Sequence, residues 1–132
     1  ASRRIPRSRK ADRLQQVDGV GRVTAFSVLA LLPELGSLRD AEASALAGVA
    51  PLNHDSGQYR GQRHIHGGRA AVRKVLYMAA LAASIHNPIL KAFYQRLRSH
   101  NKPAKLALTA VMRKLVILLN RLLKNPNFCL VQ

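Results

Sequence analysis

The sequence predicts an all-α protein of about five helices around one long irregular loop. Apolar residues recur at helical spacing through most of the chain, and Asn-Pro and Lys-Pro steps end successive helical stretches. Glycine, proline and polar residues concentrate in residues 48–68, where residues 59–65 leave room for a short hairpin at most. The length of 132 residues fits one domain, and 48% hydrophobic residues can fill its core.

The N-terminal part of the chain divides into an arm and two predicted helices. Residues 1–10 (ASRRIPRSRK) hold five basic residues without periodicity, so we expect residues 1–13 to form a basic, flexible arm or linker. The domain is expected over residues 14–124. A Gly-Val-Gly turn leads into an apolar helix over residues 22–32. Ser37, followed three residues later by Asp40, resembles a capping box and predicts a helix over residues 38–46.

Three further helices are predicted after residue 68. An Ala- and Leu-rich pattern indicates a helix over residues 70–85. Pro88 suits the first position of a helix that continues over residues 89–99. After Pro103 a long helix should run over residues 104–124, with a tail over residues 125–132.

Acidic residues are confined to the first 55 positions. The formal net charge is +16, and residues 56–132 carry 14 basic groups and no acid, against 8 basic and 6 acidic groups in residues 1–55. A chemistry of paired carboxylates has nothing to use beyond Asp55, which argues against a self-contained glycosidase or two-metal nuclease. A polyanion is the simplest partner. Nucleic acid is favoured over an anionic membrane surface, because counterion release matches this charge.

Cysteine content and hydropathy point to a soluble protein. Cys129 is the only cysteine, so an internal disulfide or a thiolate metal cluster is excluded. The longest apolar stretch of the final helix is interrupted by Arg113 and Lys114, and it is shorter than the roughly 18 residues of a membrane span. We expect a cytoplasmic protein without a membrane partner.

The first candidate site is the turn that contains Gly19 and Gly21. An apolar residue, Gly-apolar-Gly and a following helix are typical of a helix–hairpin–helix. Glycines let backbone N–H groups approach a phosphate, and the N-terminus of the following helix adds its dipole. Arg22 and Thr24 could donate directly. An ordinary turn between helices is the alternative interpretation.

The second candidate site is the Ser56-Gly57 pair. A serine that attacks a phosphodiester needs its proton removed and needs cations to stabilise the developing negative charge. Guanidinium groups match phosphate oxygens well, and four arginines follow the serine. They are Arg60, Arg63, Arg69 and Arg73. From the residues alone, a simple Ser-Gly turn is the more frequent explanation.

Histidines near Ser56 allow two other interpretations. His54, Asp55 and Ser56 are consecutive, whereas the members of a hydrolase triad normally converge from separate segments. His64 and His66 could share one face of a short strand and hold a metal ion, but no cysteine or acid nearby completes a site. A phosphate-facing or proton-carrying pair of imidazoles is the better interpretation, and we predict no metal site in this chain.

The order of these motifs resembles a known family. The segments VDGVGRVTA, LLPELG, ALAGVAPLNHDSGQYRG and RKLVILLNRLL follow one another over about residues 14–124. This order is similar to that of the C-terminal, serine-bearing domain of the IS-one-ten type insertion-sequence transposases, which are DEDD-type, bridge-RNA-guided recombinases.

The resemblance implies a role for Ser56 as the nucleophile that attacks a DNA phosphodiester and forms a phosphoserine linkage. It also implies an N-terminal RuvC-like domain whose four acids bind a divalent metal, a guide RNA, and a homo-oligomer in the bacterial or archaeal cytoplasm, associated with the nucleoid. The acids of this chain do not form such a set, so we expect a fragment that is inactive alone and holds no cofactor. The residues predicted to bind nucleic acid are Gly19, Gly21, Arg22, Thr24, Gly57, Arg60, Arg63, His64, Arg69, Arg73 and Lys74.

Two other functions remain open at this point. The first alternative is a helix–hairpin–helix module that grips a nucleic-acid backbone without chemistry. The second is a basic RNA-associated protein of ribosomal type, whose binding would not depend on the glycine turn.

Overall fold

The computed structural model describes residues 6–46 and 63–125. These two ranges contain six helices and no strand, which confirms the all-α fold class. None of the helices in these ranges has both the length and the apolarity needed to cross a bilayer. The helices are α1 (Arg7–Leu14), α2 (Arg22–Leu31), α3 (Asp40–Leu46), α4 (Arg63–His86), α5 (Pro88–Ser99) and α6 (Ala104–Lys124).

Helix α6 is the centre of the core, because it packs against α1, α3, α4 and α5. Its side chains Val111, Leu115 and Leu119 are completely buried. Leu76 of α4 and Leu90 of α5 are buried to the same extent and belong to the same apolar cluster. One continuous core therefore holds the described helices together.

Helix α5 begins as the sequence predicts, with Pro88 as its first residue. The N-cap is Asn87, whose Oδ1 accepts hydrogen bonds from the backbone N–H groups of Ile89 (3.0 Å) and Leu90 (3.2 Å). These bonds satisfy two of the donors that a helix leaves free at its start. Asn87 is 7% exposed, so its cap lies inside the protein.

Helix α5 ends in a Schellman motif. Asn101 has φ +63°, in the left-handed region that asparagine adopts more readily than most residues. The N–H of Lys102 donates to the carbonyl of Leu97 (3.2 Å), and the N–H of Asn101 donates to the carbonyl of Arg98 (3.0 Å). This pattern closes the helix and turns the chain sharply into α6.

The segment between α2 and α3 is attached to α6 by Asn120. The side chain of Asn120 is completely buried. Its Oδ1 accepts hydrogen bonds from the N–H groups of Gly36 (2.7 Å) and Leu38 (3.3 Å), and its Nδ2 donates to the carbonyl of Leu38 (2.7 Å). Lys124 donates to the same carbonyl at 2.6 Å. An irregular segment thus has its backbone groups satisfied by the central helix.

The start of α3 differs from the predicted capping box. The helix begins at Asp40, and the hydroxyl of Ser37 donates to the carbonyl of Glu34 (2.8 Å) instead of capping the helix. Glu42 accepts a hydrogen bond from the backbone N–H of Arg39 (2.9 Å). The reciprocal half of a capping box is therefore present, two residues later than the sequence suggests.

The two acidic side chains of α3 form ion pairs with arginines. Arg121 donates to both carboxylate oxygens of Asp40, through Nε at 3.2 Å and through Nη2. These bonds lower the pKa of Asp40 below its ordinary value. The backbone and side-chain hydrogen bonds from Arg39 lower the pKa of Glu42 in the same direction. Both acids of α3 are therefore used within the protein.

The predicted arm and the first helix overlap. Helix α1 begins at Arg7, so residues 7–13 are helical and do not form the flexible arm expected there. Ala11 and Leu14 are completely buried in the core. The error arises because two apolar positions among many cations give a weak periodic signal, whereas their burial stabilises the helix.

Helix α4 begins seven residues earlier than predicted. Its first residue is Arg63, so residues 63–68 belong to a helix and not to the irregular loop, and residues 63–65 do not form part of a hairpin. Gly67 and Gly68 suggested a boundary. Glycine costs about 1 kcal/mol in a helix interior, but unlike proline it keeps its N–H donor, so a glycine pair does not by itself interrupt a helix.

We predict that Asn120→Leu destabilises the protein by at least about 2 kcal/mol, because it leaves the partly buried N–H groups of Gly36 and Leu38 without their acceptor. Urea unfolding followed by circular dichroism measures the change. Gln95→Ala, at an exposed position of α5, is the control and should change stability by less than about 0.5 kcal/mol. Equal stability of the two variants would contradict the proposed role of Asn120.

Candidate nucleic-acid interface

The predicted site residues fall into three groups in the structure. Ser56, Gly57 and Arg60 lie outside the described residues. Arg63, His64 and Arg69 lie in the first turns of α4, and for these three residues only the helical backbone is described. The remaining predicted residues are described with their side chains: Gly19, Gly21, Arg22, Thr24, Arg73 and Lys74.

Gly19 lies in the turn between α1 and α2, in direct contact with α4. Its φ is +106°, a conformation that side chains with a Cβ rarely adopt. A Cβ at this position would lie 2.7 Å from Cα and 2.8 Å from N of Ala83. Only glycine at residue 19 therefore allows the turn to approach the backbone of α4 this closely. Packing accounts for Gly19 without a ligand.

Gly21 is in a different environment from Gly19. It is exposed, it is the N-cap of α2, and a Cβ built on it meets no atom within 4 Å. Its φ of −91° and ψ of −177° are allowed for any residue. The space in front of Gly21 is open, so a ligand can approach the backbone here.

The N-terminus of α2 faces this open space with free donors. No side chain caps the helix, and its first turn contains no acid. The first N–H groups of a helix have no partner within the helix, and together with its dipole they favour an anion. Arg22 is exposed with its guanidinium 5.6 Å from the centroid of Phe26, and Thr24 is half-buried. This geometry suits a phosphate group.

The turn is held in place by a residue that sequence reasoning missed. Asn87 donates from Nδ2 to the carbonyl of Asp18 (3.2 Å) while it caps α5. The same buried side chain therefore fixes both the turn before α2 and the start of α5. The Asn-Pro step signalled a helix start, but no local pattern indicates its bond to a residue 69 positions away.

Arg73 and Lys74 lie at some distance from the turn. Arg73 is half-buried and Lys74 is exposed. Ala83, where the turn touches α4, is ten residues further along the helix, which corresponds to about 15 Å along the axis. The backbone of α4 likewise separates Arg63 from Arg73 by about 15 Å. Arg60 lies outside the described residues, so the grouping of these arginines around a single scissile phosphate stays a prediction.

Ion pairs compensate two cations among the described residues. Ion pairs form between Arg39 and Glu42 and between Arg121 and Asp40, both at α3. Within the described ranges, no three His, Cys, Asp or Glu side chains converge as metal ligands.

Comparison with known proteins supports a role in transposition. The family model described as Transposase IS116/IS110/IS902 family matches residues 11–95 of this chain. The matched range contains the turn before α2, Ser56 and all of α4. No curated protein and no solved structure matches the chain.

We predict that the two glycines of the turn respond differently to alanine. Gly19→Ala should destabilise the protein by about 2 kcal/mol or more, because the added Cβ clashes with α4 and the positive φ is strained. Gly21→Ala adds the same methyl group in open space and should change stability by less than about 0.5 kcal/mol. Thermal unfolding of the two variants provides the test. A stable Gly19→Ala variant would show that the turn does not pack on Ala83 as described.

Proposed function

The chain belongs to the IS116/IS110/IS902 family of transposases, and from this premise we propose that it is the DNA-binding, serine-bearing part of an enzyme that cleaves and rejoins DNA. The observation that carries the proposal is the family match over residues 11–95. This range includes Ser56 and every residue that the sequence assigns to phosphate binding.

In this proposal Ser56 is the nucleophile. Its hydroxyl loses a proton to a base, the oxygen forms a bond with a phosphorus atom of the DNA backbone, and the bond from phosphorus to one sugar oxygen breaks. The departing oxygen takes up a proton, and the protein remains joined to the other DNA end through a phosphoserine. Attack by the hydroxyl of another DNA end on that phosphorus reverses the step and releases Ser56.

Cations and backbone donors have separate tasks in the proposed reaction. The arginines that follow Ser56 stabilise the negative charge on the phosphate as the fifth bond to phosphorus forms. Arg60, Arg63, Arg69 and Arg73 are the candidates. The open N-terminus of α2 with Gly21, Arg22 and Thr24 holds the DNA backbone elsewhere on the protein, and its free N–H groups and uncapped first turn support this assignment.

The proposed enzyme has partners beyond this chain. The likeness to the IS-one-ten type enzymes leads us to propose a guide RNA that selects the DNA, assembly into a homo-oligomer, and a separate acidic domain with a divalent metal ion. That domain would contribute acids that this chain does not have after Asp55.

We predict that Ser56→Ala, in the complete transposase, abolishes strand exchange and leaves DNA binding unchanged. Electrophoresis under denaturing conditions detects the protein–DNA adduct, which should form with the parent enzyme and be absent from the variant. Ser99→Ala is the matched control, because Ser99 is exposed on α5 and its hydroxyl bonds only to the carbonyl of Arg96 among the contacts described. Recombination by the Ser56→Ala enzyme would refute the serine mechanism.

A second candidate function is a nucleic-acid-binding module without chemistry. The observation that favours it is the accessible N-terminus of α2, which requires no contribution from Ser56. Both functions require that phosphate contacts dominate binding, so affinity should fall steeply as salt is added. The two differ in the effect of Ser56→Ala on strand exchange.

We predict that Gly21→Val weakens DNA binding by the chain about tenfold without unfolding it. The backbone angles of Gly21 suit valine, but the branched side chain would block a phosphate from the N–H groups of α2. Fluorescence anisotropy with labelled DNA measures the affinity, with Gly21→Ala as the smaller substitution. Undiminished binding to RNA and DNA by Gly21→Val would favour an RNA-associated protein of ribosomal type.

A further inference from the structure

The second half of the chain has an exposed cationic surface that the proposed reaction does not use. It comprises seven exposed side chains on α5, on α6 and on the turn between them, and we call it the α5–α6 basic face. Its members are Lys91, Arg96, Arg98, Lys102, Lys105, Arg113 and Lys114.

Acids are scarce among the elements that pack against this face. The sequence contains no acid after Asp55, so α4, α5 and α6 contain none. Helix α6 also packs against α1 and α3. Asp12 of α1 is exposed, and Asp40 and Glu42 of α3 are engaged by Arg121 and Arg39. An exposed surface of one sign over two adjacent helices is complementary to a polyanion.

Phe93 brings two members of this face together. The ammonium of Lys114 lies 4.8 Å from the centroid of the Phe93 ring, and the guanidinium of Arg96 lies 5.8 Å from the same centroid. Each contact is a cation–π attraction that restrains a long, exposed side chain. One ring thus holds a cation of α5 and a cation of α6 together despite their mutual repulsion, and a bound anion would relieve that repulsion.

The turn between α5 and α6 extends the face in a defined shape. Arg98 donates from Nη1 to the carbonyl of Lys102 (2.9 Å), within the Schellman motif that Asn101 closes. Helix α6 begins after Pro103 without a side-chain cap and without an acid in its first turn. The free N–H groups at the start of α6 therefore lie beside Lys102 and Lys105 and add to the attraction for an anion.

We propose that the α5–α6 basic face binds the phosphate backbone of duplex DNA, as a second surface separate from the N-terminus of α2. The choice of DNA rests on the proposed function. Contact is with phosphates and not with bases, because Phe93 is half-buried and already faces two cations, so it provides no free ring for a base to stack on. Binding through this face is therefore independent of DNA sequence.

The test measures the salt dependence of DNA binding by the 132-residue chain. The probe is a fluorescein-labelled duplex of about 20 base pairs, two turns of DNA at roughly 10 base pairs each. Arg96→Gln/Lys114→Gln removes two phosphate contacts. The slope of log affinity against log salt should become shallower by about 1.8, and affinity at 0.1 M salt should fall about tenfold or more.

A charge-matched variant separates this surface from a general effect of charge. Arg7→Gln/Arg9→Gln removes two exposed cations of α1 and changes the net charge equally. We expect its slope to change by less than half as much. Equal changes in the two variants, or an unchanged slope for Arg96→Gln/Lys114→Gln, would overturn the proposal. A loss restricted to an RNA duplex of the same length would overturn it as well.

Phe93→Leu tests the organising role of the ring. It keeps every charge and an apolar side chain, so the salt slope should stay the same while affinity falls about threefold. Unchanged affinity would contradict the role assigned to Phe93. These readouts are independent of the Ser56 adduct. The α5–α6 basic face can prove not to bind DNA while the adduct still forms. Conversely, the adduct can be absent while the salt slope changes as expected.

Discussion

The close contact between Gly19 and Ala83 is the constraint on which the arrangement of the candidate interface depends. Because residue 19 has no Cβ and adopts a positive φ, the turn after α1 lies directly on the backbone of α4. Asn87 then bonds to the carbonyl of Asp18 and caps α5 with the same side chain. The start of α2, with its free N–H groups, and the start of α5 are positioned together by this contact.

Acidic and basic side chains have different roles in this structure. At α3, Arg39 and Arg121 bind Glu42 and Asp40 and lower the pKa of both acids. Asn120 attaches the segment before α3 to α6 without any charge. Acids and buried amides thus stabilise the fold. Apart from Arg121 and Lys124, the arginines and lysines of α5 and α6 stay at the surface, where an external polyanion can compensate them.

Several parts of the candidate site were predictable from the sequence, and others were not. The position of α5 after Asn87 and the bounds of α6 follow from proline placement and apolar periodicity, which are local signals. The early start of α1 was missed because cations hide its apolar pattern, although the helix buries Ala11 and Leu14. The early start of α4 was missed because a glycine pair suggested a boundary inside a continuous helix. Asn87 and Asn120 were missed as well, because their partners lie 69 to 84 positions away.

The sequence by itself determined the all-α class, the uneven distribution of charge and the resemblance to a transposase family, because each of these is expressed in local composition, periodicity or motif order. Tertiary structure alone decided that Gly19 serves packing while Gly21 stands open, and that Phe93 brings Arg96 and Lys114 together. The contacts of Gly19 with Ala83 and of Phe93 with Lys114 join different elements of the fold. A local sequence pattern does not indicate which helices contact each other, because the packing of their apolar faces around α6 decides those contacts.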